Sequence, residues 1–207
     1  MEDDYKFGAN ILENLTTGMY RDSRTIYREY IQNACDSIDN AIRESILSPD
    51  EAEIRIEIHA GSIRKIVIED NGMGIPADKF RSTLGNIADS DKKIGDARGF
   101  RGIGRLCGLA YCEEVLFIAK YKGEEKESVL RCRSSEMRRM LNENAHGIKY
   151  SAVDVLRKIN EFFDRQAEDP AQHFFRVELI GINEENRDLL NIADSFRTTK
   201  DRRFSKI

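Results

Sequence analysis

The chain has 207 residues, 40% of them hydrophobic and 34% charged, which is enough apolar material for one sizeable core in a single domain with appendages. Three prolines and 14 glycines exclude a collagen-like or largely disordered chain, and 33 Lys+Arg against 37 Asp+Glu (net -4) exclude an overall nucleic-acid or membrane footprint. The longest apolar runs, such as Ile66-Val67-Ile68, are too short to cross a bilayer, and the acidic start Met1-Glu2-Asp3-Asp4 lacks an export signal's apolar core, so a cytoplasmic protein is expected.

In chain order, Ile26, Tyr30, Ala34, Ile38, Ala41 and Ile42 recur at three- and four-residue steps and predict a helix over 23–48, broken at Ser48-Pro49-Asp50. Ile54, Ile56 and Ile58 alternate within a strand over 53–59, and a turn at Gly61-Ser62 leads to a second strand over 63–69. A short helix is expected near 78–84, then a polar, glycine-punctuated stretch from Gly85 to Gly104 of the length that usually serves function. The remaining expectations are a helix over 105–111, strands over 114–121 and 128–133, helices over 135–143 and 150–166, a strand over 173–180 and a helix over 184–196. This order implies an α+β fold, a two-layer sandwich of helices on one face of a mixed sheet. Cys35, Cys107, Cys112 and Cys132 lack metal-ligand pairing and read as reduced thiols, and His59, His146 and His173 read as structural or surface residues.

Three groups of residues carry chemistry. Glu29, Asn33 and Asp36, spaced i, i+4, i+7, share a helix face opposite the apolar stripe. That face is either an ordinary solvated one or a place where an amide oxygen meets a hard cation and a carboxylate polarises water. Asp70 ends a predicted strand and is followed by Gly72, Met73 and Gly74. The glycines let backbone approach a flat ligand, and the carboxylate can accept a hydrogen bond from adenine's exocyclic amine, where guanine offers an oxygen. Asp-Asn-Gly is also a hairpin-turn sequence, but the alternating strand a hairpin needs does not follow. Gly99-Phe100-Arg101-Gly102-Ile103-Gly104 precedes a predicted helix and reads as either a phosphate cradle or a plain flexible loop. It lacks the Gly-Lys-Ser/Thr of a P-loop and the third glycine of a dinucleotide fingerprint. Lys92, Lys93, Arg98, Arg101 and Arg105 make this stretch basic, and the tail from Arg197 is basic too.

Taken together, Arg28-Glu29-Tyr30-Ile31-Gln32-Asn33-Ala34-Cys35-Asp36-Ser37, Asp70-Asn71-Gly72-Met73-Gly74-Ile75 and Gly99-Phe100-Arg101-Gly102-Ile103-Gly104 resemble the N, G1 and G2 boxes of the GHKL superfamily of ATP-binding proteins. The match is close over roughly residues 20–110. The resemblance implies a Bergerat fold with ATP and Mg²⁺ as cofactors. In its terms Asn33 is the Mg²⁺ ligand and Glu29 the general base. Asp70 reads adenine with Gly72, Met73 and Gly74 beside it, and Asp36 is a polar neighbour of the nucleotide. Gly99, Phe100, Arg101, Gly102, Ile103 and Gly104 wrap the phosphates. Residues 85–104 are the lid, whose Lys92 meets phosphate charge.

The domain organisation expected on this basis is an arm over 1–20, the ATP-binding domain over 21–196, and a basic tail or linker over 197–207. One departure stands out. Where several members carry a Thr on a late strand, this chain has Phe174-Phe175-Arg176-Val177.

The function implied is a chaperone-, MutL- or MORC-like ATPase whose lid closure drives rearrangement or homodimerisation of a larger protein. A downstream transducer domain is expected to supply a catalytic Lys, and nucleic acid enters only through other domains. The alternatives are a histidine-kinase-type phosphotransfer domain, against which stands the lack of an acceptor helix upstream, and a non-catalytic ATP-sensing switch.

Overall fold

A computed structural model of the chain describes residues 8–18, 22–85 and 104–191. Six strands form one sheet: β1 (Ile54–His59), β2 (Lys65–Asp70), β3 (Cys112–Lys120), β4 (Lys126–Arg133), β5 (Asn160–Gln166) and β6 (Phe174–Ile182). Their order is β1-β2-β6-β3-β4-β5. The described helices are α1 (Asn10–Glu13), α2 (Thr25–Arg43), α3 (Ala77–Gly85), α4 (Ser134–Ala145) and α5 (Ala152–Ile159). Shorter π and 3-10 segments cover Asn14–Gly18, Gly104–Ala110 and Glu184–Asn191.

The helices cover one face of the sheet. Ile66 and Ile68 of β2, Val115 and Phe117 of β3 and Val177 and Leu179 of β6 alternate onto that face. There they share one core with Tyr30 of α2, Phe80 of α3, Met137 of α4 and Val155 of α5. The other face carries a small cluster, Ile118, Val129 and Phe174, among cross-strand ion pairs such as Lys65–Glu178 at 3.3 Å and Arg131–Glu114 at 3.1 Å.

The α+β sandwich is therefore as the sequence implies, with one difference in the sheet. All the strand pairings among the described residues are antiparallel rather than mixed. β2 and β3 run parallel to each other but never touch, because β6 inserts between them and pairs antiparallel with both.

α2 buries the predicted stripe, Ile26, Tyr30, Ala34, Ile38 and Ala41. It stops at Ser45, whose φ of 57° turns the chain left-handed. Ile46 N then bonds Ala41 O at 2.8 Å and Ser45 N bonds Ile42 O at 3.0 Å, closing the end as a Schellman motif does.

The expected helix over 150–166 is two elements. A Ser151–Asp154 capping box starts α5, which ends at Ile159, and Asn160 onward is strand β5. β5 pairs with the edge of β4, with Leu130 opposite Phe162 and Val129 opposite Phe163. The unpaired edge of β4 outweighs the local helical period there. The expected helix over 105–111 is the 3-10 segment Gly104–Ala110. Of the last expected helix, residues 184–191 form a 3-10 segment that buries Leu189 and Leu190, and the rest lies outside the described residues.

Candidate functional site

The polar face of α2 runs along the helix-side end of the sheet. Glu29 is largely enclosed, its side chain 17% exposed and paired with Arg28 at 2.9 Å. A Cβ on Gly104 would run into the Glu29 carboxylate, so the backbone entering the Gly104–Ala110 segment passes directly over this acid. Asn33, one turn on, is half-buried, and among the described residues its amide has no hydrogen-bond partner. Asp36 is buried. An unengaged amide oxygen between two carboxylates is a donor set that suits a hard divalent cation, which takes oxygen ligands and keeps several waters.

Asp70 ends β2 and is only 2% exposed. Burial pushes its carboxyl up to about 7, against the pull of the Ser37 hydroxyl and the Gly72 amide, which favour the ionised form. Gly72 N donates to Asp70 Oδ1 at 2.9 Å.

The loop after Asp70 is held on every side. Asn71 Nδ2 donates to Glu51 O at 2.7 Å, and Glu53 N donates to Asn71 Oδ1 at 2.9 Å. Met73 N donates to Ser37 Oγ at 3.0 Å, so the loop is clipped to α2. Gly72 has no room for a Cβ against Ser37. Gly74 has φ of 66° and presses on the Lys120 and Phe174 carbonyls, a position that only glycine fills without strain.

Phe175 stands opposite Asp70 in the ladder, on the same face. Its ring stacks on Phe117 at 6.4 Å and 27°. Phe175, within the segment that lacks the expected Thr, therefore stands beside the buried carboxylate, and apolar surroundings raise a carboxyl's pKa.

The third group is anchored from α2 as well. Tyr30 OH donates to Arg105 O at 3.0 Å and accepts from Gly108 N at 3.1 Å, pinning the Gly104–Ala110 segment to the helix. Lys92, Gly99, Phe100, Arg101, Gly102 and Ile103 lie outside the described residues, so Gly104 alone of that group has a described place.

The structure thus gathers Glu29, Asn33, Asp36, Asp70, Gly72, Met73, Gly74 and Gly104 along α2 and the adjoining end of the sheet. Ser37 and His173 also belong there, though neither is assigned a role in the site from sequence. Ser37 continues the Glu29–Asn33 spacing by one more i+4 step, so that signal was present. His173 lies about a hundred residues from its contact, the Gly72 carbonyl at 2.6 Å, and no local pattern marks it.

The architecture is a two-layer domain with helices on one face of an antiparallel sheet. Residues 23–164 match the model of the histidine kinase-, DNA gyrase B- and HSP90-like ATPases, and the chain belongs to that family. Among similar proteins, the chaperone protein HtpG of Streptomyces coelicolor is 25% identical over 133 residues, 55% of this chain and 21% of that protein. HtpG of Rhizobium etli is 33% identical over 136 residues, 57% of this chain and 22% of its own length. HtpG of Nitrobacter winogradskyi is 34% identical over 90 residues, 41% of this chain and 14% of its own. The matched region spans about a fifth of these relatives or less. No helix among the described residues is long and apolar enough to cross a membrane.

Proposed function

We propose that the chain is an Mg²⁺-dependent module that binds and hydrolyses ATP. The observation that carries this reading is the layout of α2. Its Glu29 end meets Gly104, and its Ser37 end, two turns away, meets the Asp70–Gly74 loop. At 1.5 Å per residue the two ends are about 12 Å apart, which suits the length from a purine to its terminal phosphate.

On this reading Asp70 accepts the adenine amine, with Gly72, Met73 and Gly74 at the base and Phe175 as an apolar wall. Asn33 holds Mg²⁺, which when bound neutralises phosphate charge. Asp36 lies beside the nucleotide. Glu29 takes the proton from attacking water. Gly99 to Gly104 wrap the phosphates, Lys92 meets their charge, and residues 85–104 close over them. Glu29 favours hydrolysis over phosphotransfer to a histidine, because hydrolysis needs a base that activates water. The HtpG relatives, named as chaperone proteins, favour a chaperone-like role, and the reading includes a cytoplasmic setting in which ATP drives rearrangement or homodimerisation. A transducer domain supplying a Lys and an arm over 1–20 complete that picture. An ATP-binding domain of this kind, acting without such a Lys, is a slow ATPase.

Titration calorimetry with Mg²⁺ tests the reading. ATP should bind the wild type at least tenfold more tightly than GTP, and Asp70→Asn should remove the preference. Equal binding of both nucleotides by the wild type would refute it. Glu29→Ala should still bind ATP but release phosphate at least a hundredfold more slowly; an unchanged rate would remove Glu29 as the base.

A further inference from the structure

One peptide group next to Asp70 is gripped from both ends. The Gly72–Met73 peptide gives its N–H to Ser37 Oγ at 3.0 Å and to Ser37 O at 3.2 Å. Its C=O faces His173 Nδ1 at 2.6 Å. The two grips come from opposite sides, one from α2 and one from the residue just before β6. A carbonyl can only accept, so the ring carries its proton on Nδ1. The hydroxyl that receives Met73 N–H stands beside the Asp70 carboxylate.

The groups therefore form a line: His173 ring, Gly72 carbonyl, Met73 amide, Ser37 hydroxyl, Asp70 carboxylate. Linked hydrogen bonds polarise one another, and each fixes the next one's orientation. The line is short of room as well, since Gly72 cannot accept a Cβ against Ser37. Half-buried His173 closes this line from outside α2 and the loop itself. None of the three sequence motifs contains it.

We propose that His173 is a positioning residue for base recognition, holding the Gly72–Met73 peptide so that Ser37 and Gly72 present the Asp70 carboxylate in one orientation. This inference rests on the adenine-reading role proposed for Asp70. His173 touches neither the base nor the phosphates in this role; it acts through the peptide.

The test compares the 207-residue wild type with His173→Ala, His173→Asn and His173→Gln by calorimetry with Mg²⁺–ATP and Mg²⁺–GTP. An Asn amide nitrogen falls near the place of imidazole Nδ1, whereas that of Gln reaches further, towards Nε2. His173→Ala should weaken ATP binding about tenfold, the worth of one hydrogen bond, and leave GTP binding within twofold. His173→Asn should restore ATP binding to within threefold, and His173→Gln should restore less. Amide hydrogen exchange of nucleotide-free protein should show Met73 protection lost in His173→Ala and regained in His173→Asn.

Wild-type ATP affinity in His173→Ala would overturn the inference. So would equal losses for ATP and GTP, or an Asn variant no better than Ala. If His173→Ala fails to fold, equal ATP affinities for Asn and Gln would overturn it instead. A wild type that binds ATP no better than GTP fails the adenine-reading role itself, and a changed Met73 protection then still reports the grip on the peptide.

Discussion

Neutralising the buried carboxyl, Asp70→Asn, should make the protein more stable while removing the adenine preference proposed for it. In the folded chain this group titrates at about 7 instead of 3.8, chiefly because burial disfavours its charged form. The folded state thus keeps a proton that the unfolded state gives up nearer pH 4. Stability is fully favoured below about pH 4, falls as pH rises from 4 to 7, and levels off above 7. At about 1.4 kcal/mol per pH unit, the gap corresponds to about 4 kcal/mol of destabilisation on the alkaline side. Roughly 2.5 kcal/mol of it develops between pH 5 and pH 8.

Asn keeps an oxygen for Gly72 N, and its amide can face Ser37, but one N–H is left short of an acceptor at a cost of about 1–2 kcal/mol. The net gain at pH 8 is then about 2 kcal/mol. Urea unfolding of wild type and Asp70→Asn at pH 5, 6, 7 and 8 measures this directly. The variant's stability advantage should grow by about 2–3 kcal/mol across the series. Parallel pH curves would show that Asp70 ionises without penalty, and the account of a desolvated reader would be wrong.

Gly74→Ala should destabilise the fold by roughly 1–3 kcal/mol, because a Cβ would meet the Lys120 carbonyl at a φ of 66°. Urea midpoints check this, and a loss under about 0.5 kcal/mol would mean the loop shifts freely. Burial pushes the thiols of Cys107, Cys112 and Cys132 up to about 12. At pH 8 native protein should therefore react with a thiol-labelling reagent at these residues at least a thousandfold more slowly than urea-unfolded protein. Comparable rates would show that they are reached without unfolding.

The sequence by itself determined the parts whose cause is local. The Ile26-to-Ala41 stripe makes α2 amphipathic whatever its neighbours, and so places Glu29 and Asn33 together on its other face. The alternating isoleucines of β1 and the glycines beside Asp70 are local in the same way. Tertiary structure decided the rest.

Residues 160–166 carry a helical period, yet they became a strand because the edge of β4 offered unpaired backbone groups, and those belong to residues about thirty positions away. β6 is the last of the described strands in sequence but sits between β2 and β3, which makes the pairings antiparallel and sets Phe175 across from Asp70. The same insertion carries His173 to the Gly72 carbonyl. Spacing along a chain reports which residues share a helix face or a strand face. It does not report which strand fills a gap in a sheet, since hydrogen-bond partners and burial are fixed only when the whole core closes. For that reason the candidate site residues on α2 and after β2 left a pattern in the sequence, and His173, brought to the Gly72 carbonyl only by the closed sheet, did not.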